Sequence, residues 1–90
     1  MMKVTLTSAI VNVMSDNKPW TFWSLQNEIN RRFDVFYGEP SISAGIRMLR
    51  RYGIRKKYNL PEKGEIVFKE RIPSRRGYQY ILVTNNEETS

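Results

Sequence analysis

The spacing of apolar residues changes once along this chain, and that change limits the possible fold more than any other feature. Up to about residue 52 apolar residues recur three or four apart, the period of a helix with one buried stripe. Beyond about residue 65 they alternate with polar ones, the period of a strand. Leu6, Ala9, Ile10, Val13 and Met14 make the first stripe, so a helix is expected over about 5–15. Thr5 or Thr7 is placed to cap it, and Asp16-Asn17 ahead of Lys18-Pro19 to stop it. Phe22, Leu25, Ile29 and Phe33 make the second, over about 22–33, with Thr21 as N-cap. Between them Trp20 to Phe22 reads as a short extended link, suited to one strand of a small sheet, because Pro19 keeps its predecessor out of helical angles.

Residues 34–40, with Gly38 and Pro40, break the period and read as a turn. A third helix is expected from a cap at Ser41 or Ser43 to about Tyr52, ended by Gly53 in a left-handed conformation. On a helical wheel Ile42, Ile46, Leu49 and Gly53 fall together, with Gly45 and Tyr52 beside them, as the core face. The opposite face holds Ser43, Ala44, Arg47 and Arg51, flanked by Met48 and Arg50. Residues 54–58 read as extended and 61–64 as a turn, and 65–72 as a strand with Ile66, Phe68 and Ile72 on one side. A basic turn at 73–77 and a second strand at 78–83 complete a hairpin. The expected class is α+β: one domain over 1–83, with a polar, fraying tail at 84–90.

Composition removes most other function classes. With no cysteine and no histidine, thiolate nucleophiles, zinc–thiolate sites, imidazole triads and the commonest metal ligand are missing. Ser74 has no neighbouring general base, Glu62, Glu65 and Glu70 lack the spacing of a metal cage, and there is no glycine-rich phosphate loop. The expectation is a non-enzyme without a cofactor. No apolar run approaches the ~18 residues of a membrane helix, and no signal peptide is evident, so a soluble cytoplasmic protein is expected, in the host cytoplasm if viral.

Charge then points to a partner. Residues 1–46 carry four cations and four anions, whereas 47–90 carry eleven cations and five anions, so the whole net charge of +6 lies in the second half. Residues 47–57 hold six cations and no anion. Such a block suits a polyanion; the plain alternative is a solvated basic face.

Three helical stripes, a hairpin and this division of charge resemble the winged helix-turn-helix family over about residues 4–83. SISAGIRMLRRYGI at 41–54 is similar to that family's recognition helix and the glycine step into its wing, with Ile46, Leu49 and Tyr52 ahead of Gly53. RRGYQYIL at 75–82 resembles the basic wing turn and returning strand, and PWTF at 19–22 the short strand before the second helix. The segment 54–77 is longer than one wing requires and has room for an extra strand or turn. The resemblance implies a small prokaryotic or viral regulator of transcription that binds double-stranded DNA through its third helix in the major groove. Ser43, Ala44, Arg47 and Arg51 would then face bases, with Arg47 as the guanine reader and Ala44 against a thymine methyl. Arg50, Arg55, Lys56 and Lys57 would neutralise phosphates, and Arg75 and Arg76 at the wing tip would reach the flanking backbone or a minor groove.

Each assignment has an ordinary counterpart: arginines on a helix are often only solvated, and a basic hairpin tip commonly protects a sheet edge. Of the clustered aromatics Trp20, Phe22, Trp23, Phe33, Phe36 and Tyr37, most are expected in the core; Trp23 and Tyr37 fall off the buried faces and would suit a dimer contact. A homodimer would pair two recognition helices, although no long coiled-coil helix dictates one. The other readings left open are a protein-interaction module meeting an acidic partner and an RNA-binding protein.

Overall fold

A computed structural model describes residues 5–84. Its order is α1 (Leu6–Met14), α2 (Phe22–Phe33), α3 (Glu39–Met48), α4 (Tyr52–Lys57), β1 (Val67–Arg71) and β2 (Tyr78–Leu82). The class is α+β as expected, with four helices rather than three and a two-stranded antiparallel sheet.

The first two helices start where their capping residues place them. Thr5 and Ser8, and again Thr21 and Ser24, form reciprocal capping boxes that satisfy the first free backbone N–H groups of α1 and α2. α2 ends on Asp34, which takes left-handed angles (φ 55°) and donates its N–H to the Asn30 carbonyl at 2.9 Å. α1, α2 and α3 pack on one another around Ala9, Ile10, Val13, Met14, Leu25, Ile29, Ile42, Ile46 and Leu49, all buried. Gly45 lets α3 sit close against α1: a Cβ there would lie 2.6 Å from Ile10 Cδ1 and 3.0 Å from Leu6 Cγ.

The third helix departs from expectation at both ends. It begins at Glu39 with Gly38 as N-cap, ahead of Ser41 and Ser43, because Pro40 needs no backbone donor in a first turn. It ends at Met48: the N–H groups of Arg50 and Arg51 bond back only three residues, to Arg47 and Met48. A continuing helix would give the Arg50 carbonyl to the N–H of Ile54; here Arg55 Nε donates to that carbonyl at 2.9 Å. The chain restarts as α4, so 54–58 is not extended, Gly53 lies inside a helix rather than ending one, and Tyr52 is 60% exposed instead of joining the core face.

The hairpin is close to expectation. Val67 faces Leu82 and Arg71 faces Tyr78, and the ladder extends through Ile72 N–H to the Gly77 carbonyl (3.2 Å) around a tip at 73–76. Ser74 and Gly77 have positive φ in this tip. In place of the expected short strand before α2, Trp20 makes an isolated antiparallel bridge to β2: it and Tyr80 exchange two backbone hydrogen bonds of 2.9 and 2.8 Å. The Asn17 amide nitrogen donates to the Leu82 carbonyl at 2.7 Å, and Phe22 stacks on Tyr80, so the returning strand is held to α1 and α2. Ile66, Val67 and Leu82 enter the core, while Phe68, expected on the same side as Ile66, is 48% exposed. The expected tail lies outside the described residues apart from Thr84, whose Oγ1 accepts from Asn17. Among the described residues no helix is long and apolar enough to cross a membrane.

Candidate nucleic-acid interface

The outward face of α3 follows from the burial of its other side. With Ile42, Gly45, Ile46 and Leu49 locked against α1 and α2, the 3.6-residue period turns Ser43, Ala44 and Arg47 outward. Ala44, Arg47, Met48 and Arg51 together line one shallow open depression. The first three come from α3, and Arg51 comes from the N-cap of α4, where extended angles (φ −70°, ψ 140°) carry its side chain back beside the helix. Arg47 and Arg51 are exposed, and Ser43 and Ala44 half-buried. Arg47 Nη1 donates to Ser43 Oγ at 3.2 Å, which steadies the guanidinium while leaving most of its five donors free.

The six-cation block divides by environment. Arg50 is tied down: its Nε donates to Glu65 Oε1 at 2.8 Å and its Nη2 to the Val67 carbonyl at 3.4 Å, joining the end of α3 to the base of the hairpin. The Arg50 guanidinium, helped by the backbone N–H groups of Val67 and Ile66, holds the Glu65 carboxyl below the usual carboxylate range. Arg55 is only 8% exposed, with Nε on the Arg50 carbonyl and Nη1 on the Pro61 carbonyl at 3.3 Å. The phosphate role expected of Arg55 is therefore corrected: its guanidinium is used inside the fold. Lys56 and Lys57 on α4 are exposed, Lys57 Nζ sitting 5.5 Å from the Tyr58 ring centroid.

Arg75 and Arg76 project from the hairpin tip, exposed, into a groove against the start of α2. Of the two aromatics expected off the core, Trp23 is 70% exposed, whereas Tyr37 packs against the core. Phe36 was expected inside and is 67% exposed. Its position between Asp34 and Gly38, in a stretch with no helical period, was the available signal. Met48 also joins the α3 depression, which its flanking wheel position only half indicated. No group of three or more acidic residues able to hold a metal ion occurs among the described residues.

Compared with protein-family models, curated proteins and solved structures, the chain finds no match.

Proposed function

We propose that this chain is a double-stranded DNA-binding protein of winged-helix type, acting as a transcriptional regulator, with α3 as its recognition helix and the β1–β2 hairpin as its wing. The observation that carries this reading is the single open face shared by Ala44, Arg47, Met48 and Arg51, cationic and backed by a fully buried apolar stripe. A helix so braced fits the ~12 Å major groove, where every base pair displays a distinct edge. Arg47 reads guanine through a bidentate contact, Ala44 allows close approach, and Arg51 reaches an adjacent base or phosphate from the α4 cap. Lys56 and Lys57 lie further along the same cationic stretch and take phosphates, as do Arg75 and Arg76 on the wing. The short α4 is an addition between recognition helix and wing.

The test is binding to duplex DNA across salt concentrations, followed by Arg47→Ala. Four phosphate contacts give a salt slope of about −3.6, so affinity falls roughly a hundredfold between ~50 and ~200 mM salt. Arg47→Ala lowers discrimination at one base position by about 1–3 kcal/mol, while Arg76→Ala weakens all duplexes alike. A salt-independent affinity, or the two variants exchanging phenotypes, would refute the assignment.

A further inference from the structure

We propose that the groove between the start of α2 and the hairpin tip binds one or two unpaired nucleotides of a nucleic-acid strand. Its volume is about 500 Å³, within the range of about 300–1,000 Å³ typical of sites for small organic ligands. Among its lining residues Phe22 and Tyr80 stack with ring centroids 4.8 Å apart and planes 1° from parallel, and the Tyr80 backbone is paired with Trp20. The walls carry Trp23 and Tyr78, 70% and 47% exposed. An indole left so far out of the core at the first turn of a well-capped helix contributes little to folding, and its flat face is free for a ligand.

The charge around these rings selects the ligand. Arg75 and Arg76 border the groove, and Lys69 Nζ lies 4.3 Å from the Tyr78 ring centroid; against them the lining holds one carboxylate, Glu39. The exposed Trp23 ring beside the Arg75 and Arg76 guanidinium groups matches a nucleotide, whose base stacks on the indole while its phosphate accepts from the arginines. A run of acidic side chains would satisfy the arginines and leave the Trp23 indole uncovered. A paired base is already stacked on its neighbours and cannot offer a face, so the groove requires an unpaired one.

This inference takes its ligand class from the nucleic-acid reading above and shares Arg75 and Arg76 with it, but it rests on Trp23 and on none of the outward residues of α3. The experiment measures binding of the full chain to a short oligothymidylate and, separately, to a blunt duplex, by anisotropy and tryptophan fluorescence. Oligothymidylate is expected to bind and quench, Trp23→Leu to weaken it about tenfold or more, and Trp23→Phe to retain most of the affinity. Duplex affinity stays unchanged in Trp23→Leu, which folds normally because the indole is exposed. The inference is overturned if oligothymidylate fails to bind, binds the leucine variant equally well, or is displaced as readily by polyglutamate as by more oligothymidylate. Loss of duplex binding with oligothymidylate binding intact would overturn the major-groove reading alone.

Discussion

Replacing Arg55 with methionine separates a structural role from a DNA-binding one. Methionine keeps an unbranched apolar stem and little volume is lost, so the cost is chiefly polar. Two carbonyls, Arg50 at 2.9 Å and Pro61 at 3.3 Å, lose a charged donor. Hydrogen bonds to charged groups contribute about 1.5–3 kcal/mol each, with the longer one at the low end or below it. Against this, the variant no longer has to hold a guanidinium largely out of water, which returns part of the loss. The net destabilisation is about 2 kcal/mol, a drop of roughly 8–16 °C in Tm for a domain of this size. Thermal unfolding by circular dichroism, with a urea titration to check that the denaturant slope is unchanged, measures it. The salt slope of duplex binding, taken well below the transition, should equal that of the wild type. An unaltered Tm together with a slope smaller by about one would identify Arg55 as a phosphate ligand and refute the reasoning.

Glu65→Gln frees the Arg50 guanidinium from its 2.8 Å ion pair and removes one negative charge, so duplex affinity should rise and the salt slope steepen by up to about one phosphate; an affinity at or below wild type would contradict this. Gly45→Ala places a Cβ 2.6 Å from Ile10 Cδ1 and 3.0 Å from Leu6 Cγ, so the overpacking outweighs the helix propensity gained and the net loss in denaturant unfolding should be about 0.5–2 kcal/mol. Gly53→Ala meets no atom within 4 Å inside α4, so it should be neutral or stabilise by up to about 1 kcal/mol; a loss would restore the left-handed terminator. Hydrogen bonds from Arg31 and then Arg32 depress the Glu28 carboxyl from 4.5 to about 2. Its contribution to stability is therefore present above pH ~4.5 and lost as pH falls towards 2, and Glu28→Gln should flatten the unfolding free energy across that window.

Much of the framework was legible because it depends on local rules. The apolar stripes of α1 and α2, the Thr5 and Thr21 caps, the extended link at Trp20 and the hairpin with its basic tip all follow from period, capping and turn chemistry within a few residues. Part of the candidate site was legible for the same reason, since burying Ile42, Ile46 and Leu49 turns Ala44 and Arg47 outward at helical spacing. The second half of the basic block was not. A wheel through residue 52 places Arg51 outward with Arg50 beside it, and an extended 54–58 leaves Arg55 in solvent, because charge carries no period that distinguishes solvent from a carbonyl cage.

What separated them is contact that no helical or strand period encodes: one fifteen residues apart, Arg50 to Glu65, and two made within six residues by the turn that encloses Arg55. Glu65 reaches Arg50 from the base of the hairpin, and Arg55 lies between the end of α3 and the loop at Pro61. Beside them α3 ends at Met48, and Arg51 lines the same depression as Arg47. The sequence by itself determined the class of the fold, the first two helices, the hairpin and the sign of the surface, all properties of short stretches of chain. Only the tertiary structure decided which cations remain free, where α3 stops, and that Trp23 stands beside Arg75 and Arg76. Those outcomes depend on which backbone carbonyls and ring faces the packed chain leaves within reach, which local spacing does not encode.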